Sequence, residues 1–243
     1  RETRANIAWG YLGSYCARAV AEQAVLMMMA LLRKLKKQLT HFETFRRDGL
    51  TGLECRGRKV FVVGVGNIGS EIVDMAKGLR MQVKGFDIER RIKNLAYVSL
   101  TEGVQWADVV FCALPLTKET NGMLSYKIFQ NAKPGLVFIN IARGEISPAP
   151  DLKKLLDEKT LGGVGLDVYS QEPELANGLR AGAKGTNSAE RKMLELSKYE
   201  DVLLTPHNAF NTQEALERKA SLSVEAVALF LKRGVFPRPI PSI

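Results

Sequence analysis

The chain has 243 residues, of which 46% are hydrophobic and 25% charged. That length suffices for a real core in one large domain or two small ones, and the composition excludes a disordered chain. The formal net charge of +9 admits a nucleic-acid surface. The basic residues are spread out and no nucleic-acid motif accompanies them, so no such partner is expected.

The chain opens on Arg-Glu-Thr-Arg without a methionine, and residues upstream are expected. Residues 16–38 read as one helix with a middle that is apolar on all sides. Such a helix must be buried all round, either in the core or partly by a second subunit, and a homodimer through this helix is expected. Its apolar run, Ala24 to Leu32, is shorter than the ~18 residues of a membrane span, so no membrane partner is expected. Arg33-Lys34-Leu35-Lys36-Lys37 ends the helix with charges that complement its dipole. His41 follows in Leu39-Thr40-His41-Phe42 with no partner motif and reads as structural.

The pattern then changes to strands alternating with helices. Apolar runs at 59–63, 108–113, 136–140, 163–167 and 202–204 and a weaker run at 82–86 read as strands, and 70–79 and 151–158 as helices between them. Near-continuous apolar strands separated by helices imply an α/β fold, a doubly wound parallel sheet of Rossmann type with helices on both faces. Residues 174–200 break the rhythm. Asn177-Gly178, Ala181-Gly182 and Lys184-Gly185 read as a loop, and 188–197 as a short helix capped by Ser188. A last helix covers about 212–233 and ends near Gly234 and a Pro-rich tail. The cysteines, Cys16, Cys55 and Cys112, have neither redox nor zinc spacing. No metal site is expected, and a reduced, cytoplasmic setting is. Cys112, inside an apolar strand, reads as inert core.

Two groups of residues carry chemistry. Gly64-Val65-Gly66-Asn67-Ile68-Gly69 is GxGxxG between a predicted strand and a predicted helix, which is the context the motif requires. Gly64 allows the tight turn, Gly66 the approach of a pyrophosphate, and Gly69 close packing of helix on strand. The pyrophosphate then meets the free N–H groups at the helix start. Asp87 ends the next strand, near the expected ~20 positions past the glycines, and reads as the acceptor for adenosine ribose hydroxyls. That favours NAD over NADP, although Arg90 and Arg91 could hold a 2′-phosphate. The other group is three segments: Asn140-Ile141-Ala142-Arg143-Gly144 at a strand end, 165–173 with Asp167 and Glu172-Pro173, and Leu204-Thr205-Pro206-His207-Asn208-Ala209-Phe210.

In order, Ala-Val-Ala-Glu at 19–22, the glycine fingerprint, Leu114-Pro115-Leu116-Thr117 with Thr120, Ala-Arg-Gly at 142–144, Gly-Leu-Asp-Val at 165–168, Glu172-Pro173 and Thr-Pro-His at 205–207 resemble the D-isomer-specific 2-hydroxyacid dehydrogenase family from about residue 11 to about 233. The resemblance implies an NAD-dependent oxidoreductase of a small 2-keto acid and its D-2-hydroxy acid. Arg143 would grip the substrate carboxylate and the C2 oxygen, as a planar fork of donors suits. His207 would be the general acid–base, and Glu172 would hydrogen-bond it and orient its ring. Asn67 and Ile68 would meet the pyrophosphate, with Leu114, Pro115 and Thr120 on the adenosine side. Ile141, Ala142, Arg143, Asp167, His207 and Ala209 would surround the nicotinamide, with Asp167 on its carboxamide. It also implies a division of the chain. Residues 1–15 end a substrate-side domain, 16–214 form the dinucleotide-binding domain, and 215–243 return to the first. The 174–200 stretch and the Pro-rich Ser147-Pro148-Ala149-Pro150 depart from the family pattern and leave substrate identity open. An NAD(H)-sensing, corepressor-like relative with the same motifs is the alternative.

Overall fold

The structure is a computed structural model that describes residues 8–13, 15–182 and 188–239. Helices α1 (Ala17–Leu32) and α2 (Leu35–His41) lead into strand β1 (Lys59–Val63). Then follow α3 (Asn67–Gly78), β2 (Gln82–Phe86), β3 (Ala96–Tyr97), α4 (Leu100–Trp106), β4 (Val109–Cys112), α5 (Tyr126–Phe129) and β5 (Leu136–Asn140). The chain continues through α6 (Ala149–Asp157), β6 (Leu161–Leu166), α7 (Glu172–Arg180), α8 (Ser188–Ser197), β7 (Val202–Leu204) and α9 (Gln213–Arg233). The seven strands form one sheet in the order β3-β2-β1-β4-β5-β6-β7, every pair parallel. This is the expected doubly wound sheet. The order reverses between β1 and β4, so a crevice opens there at the carboxyl ends of the strands.

Alternation along each strand explains why both faces are covered. Val60, Val62, Val109, Phe111, Val137 and Ile139 join α1 and α3 in one apolar core. Their neighbours Phe61, Val63, Val110, Cys112, Leu136 and Phe138 point the other way, into a core shared with α4, α5, α6 and α8. Burial pushes the Cys112 thiol up to about 12, so it stays protonated, as expected of inert core. At the opposite edge of the sheet, Asp108 ties strand starts together. It accepts from the Lys59 N–H at 2.8 Å and from Lys133 Nζ at 3.1 Å. Partial burial alone would raise its pKa, but these donors outweigh it and hold the carboxyl below its usual value. Its stabilising contribution is therefore present above the ordinary aspartate pKa and is lost as pH falls through the depressed one.

Three expectations are corrected. The 16–38 helix is two helices, because Lys34 turns left-handed at φ 53° between them. Nor is the first buried all round within this chain: Leu26 and Met29 stay 57% and 40% exposed, since α3 and the sheet cover only the opposite side. Asn177-Gly178 is helical rather than looped. Helix α7 begins with the acidic turn Glu172-Pro173-Glu174, with proline where it costs no hydrogen bond, and Leu175 anchors it in the core. The chain leaves it at Gly182, at φ 68°. Lys184-Gly185 and the Ser188 cap lie outside the described residues, whereas α8 runs over 188–197 as expected. Thr212 caps α9 by accepting from the Ala215 N–H at 3.2 Å. The two ends of the chain meet: the Tyr11 N–H donates to Arg238 O at 3.0 Å beside a bridge between Gly10 and Pro239.

Candidate active site

The glycine loop joins β1 to α3 at the topological switch. Gly64 sits at φ +95°, and a Cβ there would come within 2.7 Å of the Ala113 backbone, so β1 and β4 can close only around a glycine. A Cβ on Gly69 would meet the Gly64 carbonyl oxygen at 1.9 Å, which is the close helix-on-strand packing expected. Gly66 is different: nothing lies within 4 Å of where its Cβ would be. The open space sits at the start of α3, whose first turn no side chain caps. Free amides, a helix dipole and a cradle that one side chain would fill match a pyrophosphate in shape and charge. The dinucleotide therefore fits the residues present. Gly66→Val should leave the melting temperature within a few degrees, because the added atoms meet no protein. It should raise the Kd for NADH by about 10²-fold or more, as titrated by nicotinamide fluorescence. Unchanged affinity would place the pyrophosphate elsewhere.

A cavity of about 490 Å³ extends from this loop, lined by Asn67, Ile68, Leu114, Pro115, Ile141, Ala142 and Arg143. Seven of the expected residues thus share one wall. Cys16 and Ala17 also line it, which sequence reasoning missed because no motif marks them. Thr120 stands apart. Its hydroxyl donates to Pro115 O at 2.7 Å and accepts from the Thr117 N–H at 2.8 Å, so it closes the turn beneath Leu114-Pro115. Asp87 reaches back to the glycine loop, accepting from the Val65 N–H at 2.6 Å and from the Glu89 N–H at 3.0 Å. Of the two arginines that could favour a 2′-phosphate, Arg91 pairs with Glu89 at 2.8 Å and Arg90 lies over the Tyr97 ring.

Arg143 is held by its neighbours. The fully buried Asn140 accepts from the Ala142 N–H at 2.9 Å and donates to the Arg143 carbonyl at 2.9 Å and to Ser147 Oγ at 2.8 Å. All its hydrogen-bonding capacity but one lone pair goes into shaping this loop. The exposed side chain is folded back, Nη1 donating to Ala142 O at 2.7 Å. The only sequence signal for Asn140 was a polar residue ending an apolar strand.

His207 and Glu172 come from different parts of the chain and meet directly, Nδ1 to Oε1 at 2.6 Å, both side chains partly exposed. Asp167, 1% exposed, builds the turn that presents the histidine. Its carboxylate accepts from Thr205 Oγ1 at 2.6 Å, from the Asn208 N–H at 2.9 Å and from the Ala209 N–H at 2.9 Å. The turn is strained: His207 has φ +49°, and Gln171, just before Glu172, has φ +55°. Non-glycine residues occupy that region at a cost, and such outliers concentrate at functional sites. The Arg143 loop and the Glu172 segment abut as well. A Cβ on Gly144 would come within 2.1 Å of the Ser170 nitrogen. The arginine, the carboxylate and the imidazole thus rise from adjoining segments on the same edge of the sheet, above the carboxyl ends of β5, β6 and β7.

Residues 25–209 match the model of the D-isomer specific 2-hydroxyacid dehydrogenase, NAD binding domain. The chain belongs to this family. It is 31% identical over 228 residues to a D-lactate dehydrogenase of Lactiplantibacillus plantarum, covering 91% of this chain and 68% of that protein. It is 30% identical to a glyoxylate reductase of Pyrococcus furiosus, covering 90% of this chain and 64% of that one. The fold superposes on the D-lactate dehydrogenase of Aquifex aeolicus, solved with NAD and lactic acid, with a TM-score of 0.87 and 28% identity over 97% of this chain and 74% of the other. An NAD-dependent oxidoreductase of hydroxy acids is the activity class of this family, and NAD its cofactor. No helix among the described residues is long and apolar enough to cross a membrane, and no cluster of His, Cys, Asp or Glu there could hold a metal ion.

Proposed function

We propose that the protein reduces a small 2-keto acid to its D-2-hydroxy acid with NADH, using Arg143, Glu172 and His207 as its catalytic residues. The observation that carries this reading is the 2.6 Å contact between His207 Nδ1 and Glu172 Oε1 at the carboxyl edge of the sheet. A carboxylate on Nδ1 orients the ring and leaves Nε2 as the nitrogen that faces a substrate. Nε2 would give its proton to the C2 oxygen during reduction and take it back during oxidation. The Arg143 guanidinium would hold the carboxylate and the C2 oxygen through paired donors. Bound NADH would supply the hydride to C2.

The same reading assigns Gly64, Gly66, Gly69, Asn67 and Ile68 to the pyrophosphate, Asp87 to the ribose, and Leu114, Pro115 and Thr120 to the adenosine side. Ile141, Ala142, Asp167 and Ala209 belong to the nicotinamide side, where a carboxamide N–H would share an Asp167 oxygen with the 205–209 turn. NAD is favoured over NADP because Arg91 is already paired with Glu89. The meeting of residues 10–13 with 236–239 supports the division at 15/16 and 214/215, with both ends belonging to a substrate-side domain. The exposed Leu26 and Met29 support a homodimer through α1, and three unpaired cysteines a reducing cytoplasm.

Loss of nicotinamide absorbance, followed with glyoxylate, pyruvate, hydroxypyruvate and 3-phosphohydroxypyruvate in turn, tests the activity. At least one should be turned over stereospecifically to the D-product. Tight NADH binding without turnover of any would point instead to an NAD(H)-sensing protein.

A further inference from the structure

We infer that Tyr169 is a positioning residue that locks the imidazole of His207 in register with the Arg143 loop, an assignment that rests on the roles proposed above. Three contacts converge on it. Its hydroxyl donates to the Thr205 carbonyl at 2.6 Å, and that same oxygen accepts the backbone N–H of His207 at 2.9 Å. Tyr169 and His207 therefore share one acceptor, and the strained turn that carries the imidazole hangs from it. The hydroxyl also lies 3.2 Å from the Leu166 carbonyl at the end of β6. On its backbone side, Tyr169 packs against Gly144, where a Cβ would approach its carbonyl carbon to 2.1 Å. A single residue of the segment leading to Glu172 thus touches both the segment after Arg143 and the turn before His207.

The ring helps line a cavity of about 200 Å³ together with Glu172, Leu175, Pro206 and His207, so it packs beside the acid–base pair. Burial raises the pKa of its hydroxyl, and the charges of Asp167 and Glu172 raise it further. The phenol accordingly stays protonated, a neutral donor at any working pH. The hydroxyl is the part that carries this role. Phenylalanine would keep the ring in the cavity and leave the Thr205 carbonyl with one donor fewer. A turn held at φ +49° at His207 needs every such restraint, because its relaxed conformation lies elsewhere.

The test is Tyr169→Phe in the intact enzyme, with two readouts. By steady-state kinetics, kcat should fall about tenfold, while KM for the 2-keto acid and Kd for NADH stay within about twofold. By NMR, imidazole labelling reports each histidine separately, His41 and His207 among them. Those of His207, assigned by their loss in His207→Asn, should split or broaden in Tyr169→Phe, and those of His41 should stay put. Unchanged His207 signals would overturn the proposal whatever the rate does. So would a rise in KM at constant kcat, or a change at both histidines with a lowered melting temperature, which would mean the hydroxyl serves the fold at large. Absence of turnover in the wild type would sink the reductase reading alone, since the NMR arm needs no substrate.

Discussion

His207→Asn is expected to lower kcat/KM for 2-keto acid reduction by about 10²- to 10⁴-fold, the range over which a positioned acid–base group contributes. Asparagine is the informative replacement because of the backbone. His207 sits at φ +49°, and among non-glycine residues asparagine tolerates that region best. Alanine would add strain to the loss of the imidazole and confuse the two. With asparagine, the Asp167 carboxylate keeps its bonds to Thr205, Asn208 and Ala209, so the turn survives. NADH affinity should therefore change by no more than about threefold, less than ~1 kcal/mol. Stopped-flow single turnovers check the chemical step, and fluorescence titration checks binding. A variant that kept a rate within tenfold of the wild type would show that another group moves the proton.

Replacing Arg143 should cost nearly as much, through the substrate instead of the proton. Arg143→Ala removes a fork of charged donors from the 490 Å³ cavity wall and should lower kcat/KM by about 10²- to 10³-fold, with most of the loss in KM. Arg143→Lys keeps the charge but not the paired geometry, and should recover only part of it. Stability should hardly move in either variant. The side chain is exposed, its one hydrogen bond among the described residues goes to the neighbouring Ala142 carbonyl, and the loop is shaped by Asn140. Initial rates across a substrate series, with melting curves alongside, decide this. A lysine variant with wild-type KM would mean that charge alone holds the carboxylate.

Much of this was legible in order along the chain. The glycine loop was readable because its three glycines and the strand before it are contiguous, and local sterics dictate what each glycine must do. The strands at 59–63, 136–140 and 202–204 were readable to the residue from unbroken apolar runs, and 82–86 from a weaker one, Gln-Val-Lys-Gly-Phe, in a strand that is only partly buried. The two-residue strand β3 carries too short a signal to be seen, and Asn177-Gly178 misled because turn residues inside a helix are read before the buried Leu175 that anchors it. Asn140 and Tyr169 fell within the segments singled out, without a role. Nothing in a linear pattern reveals that one closes the Arg143 loop and the other shares an acceptor with His207.

Taken alone, the amino-acid order determined the layered α/β fold and the dinucleotide crevice, because each rests on periodicity or on residues a few positions apart; the roles proposed for Arg143, Glu172 and His207 came instead from the resemblance of their motifs to a family. The tertiary structure brought His207 and Glu172 into the contact that the resemblance implied, and it alone decided that Asp167 is spent largely on the histidine turn and that one side of α1 stays open. Those outcomes depend on hydrogen bonds and packing between segments dozens of residues apart, and such distances exist only once the sheet has brought β5, β6 and β7 side by side.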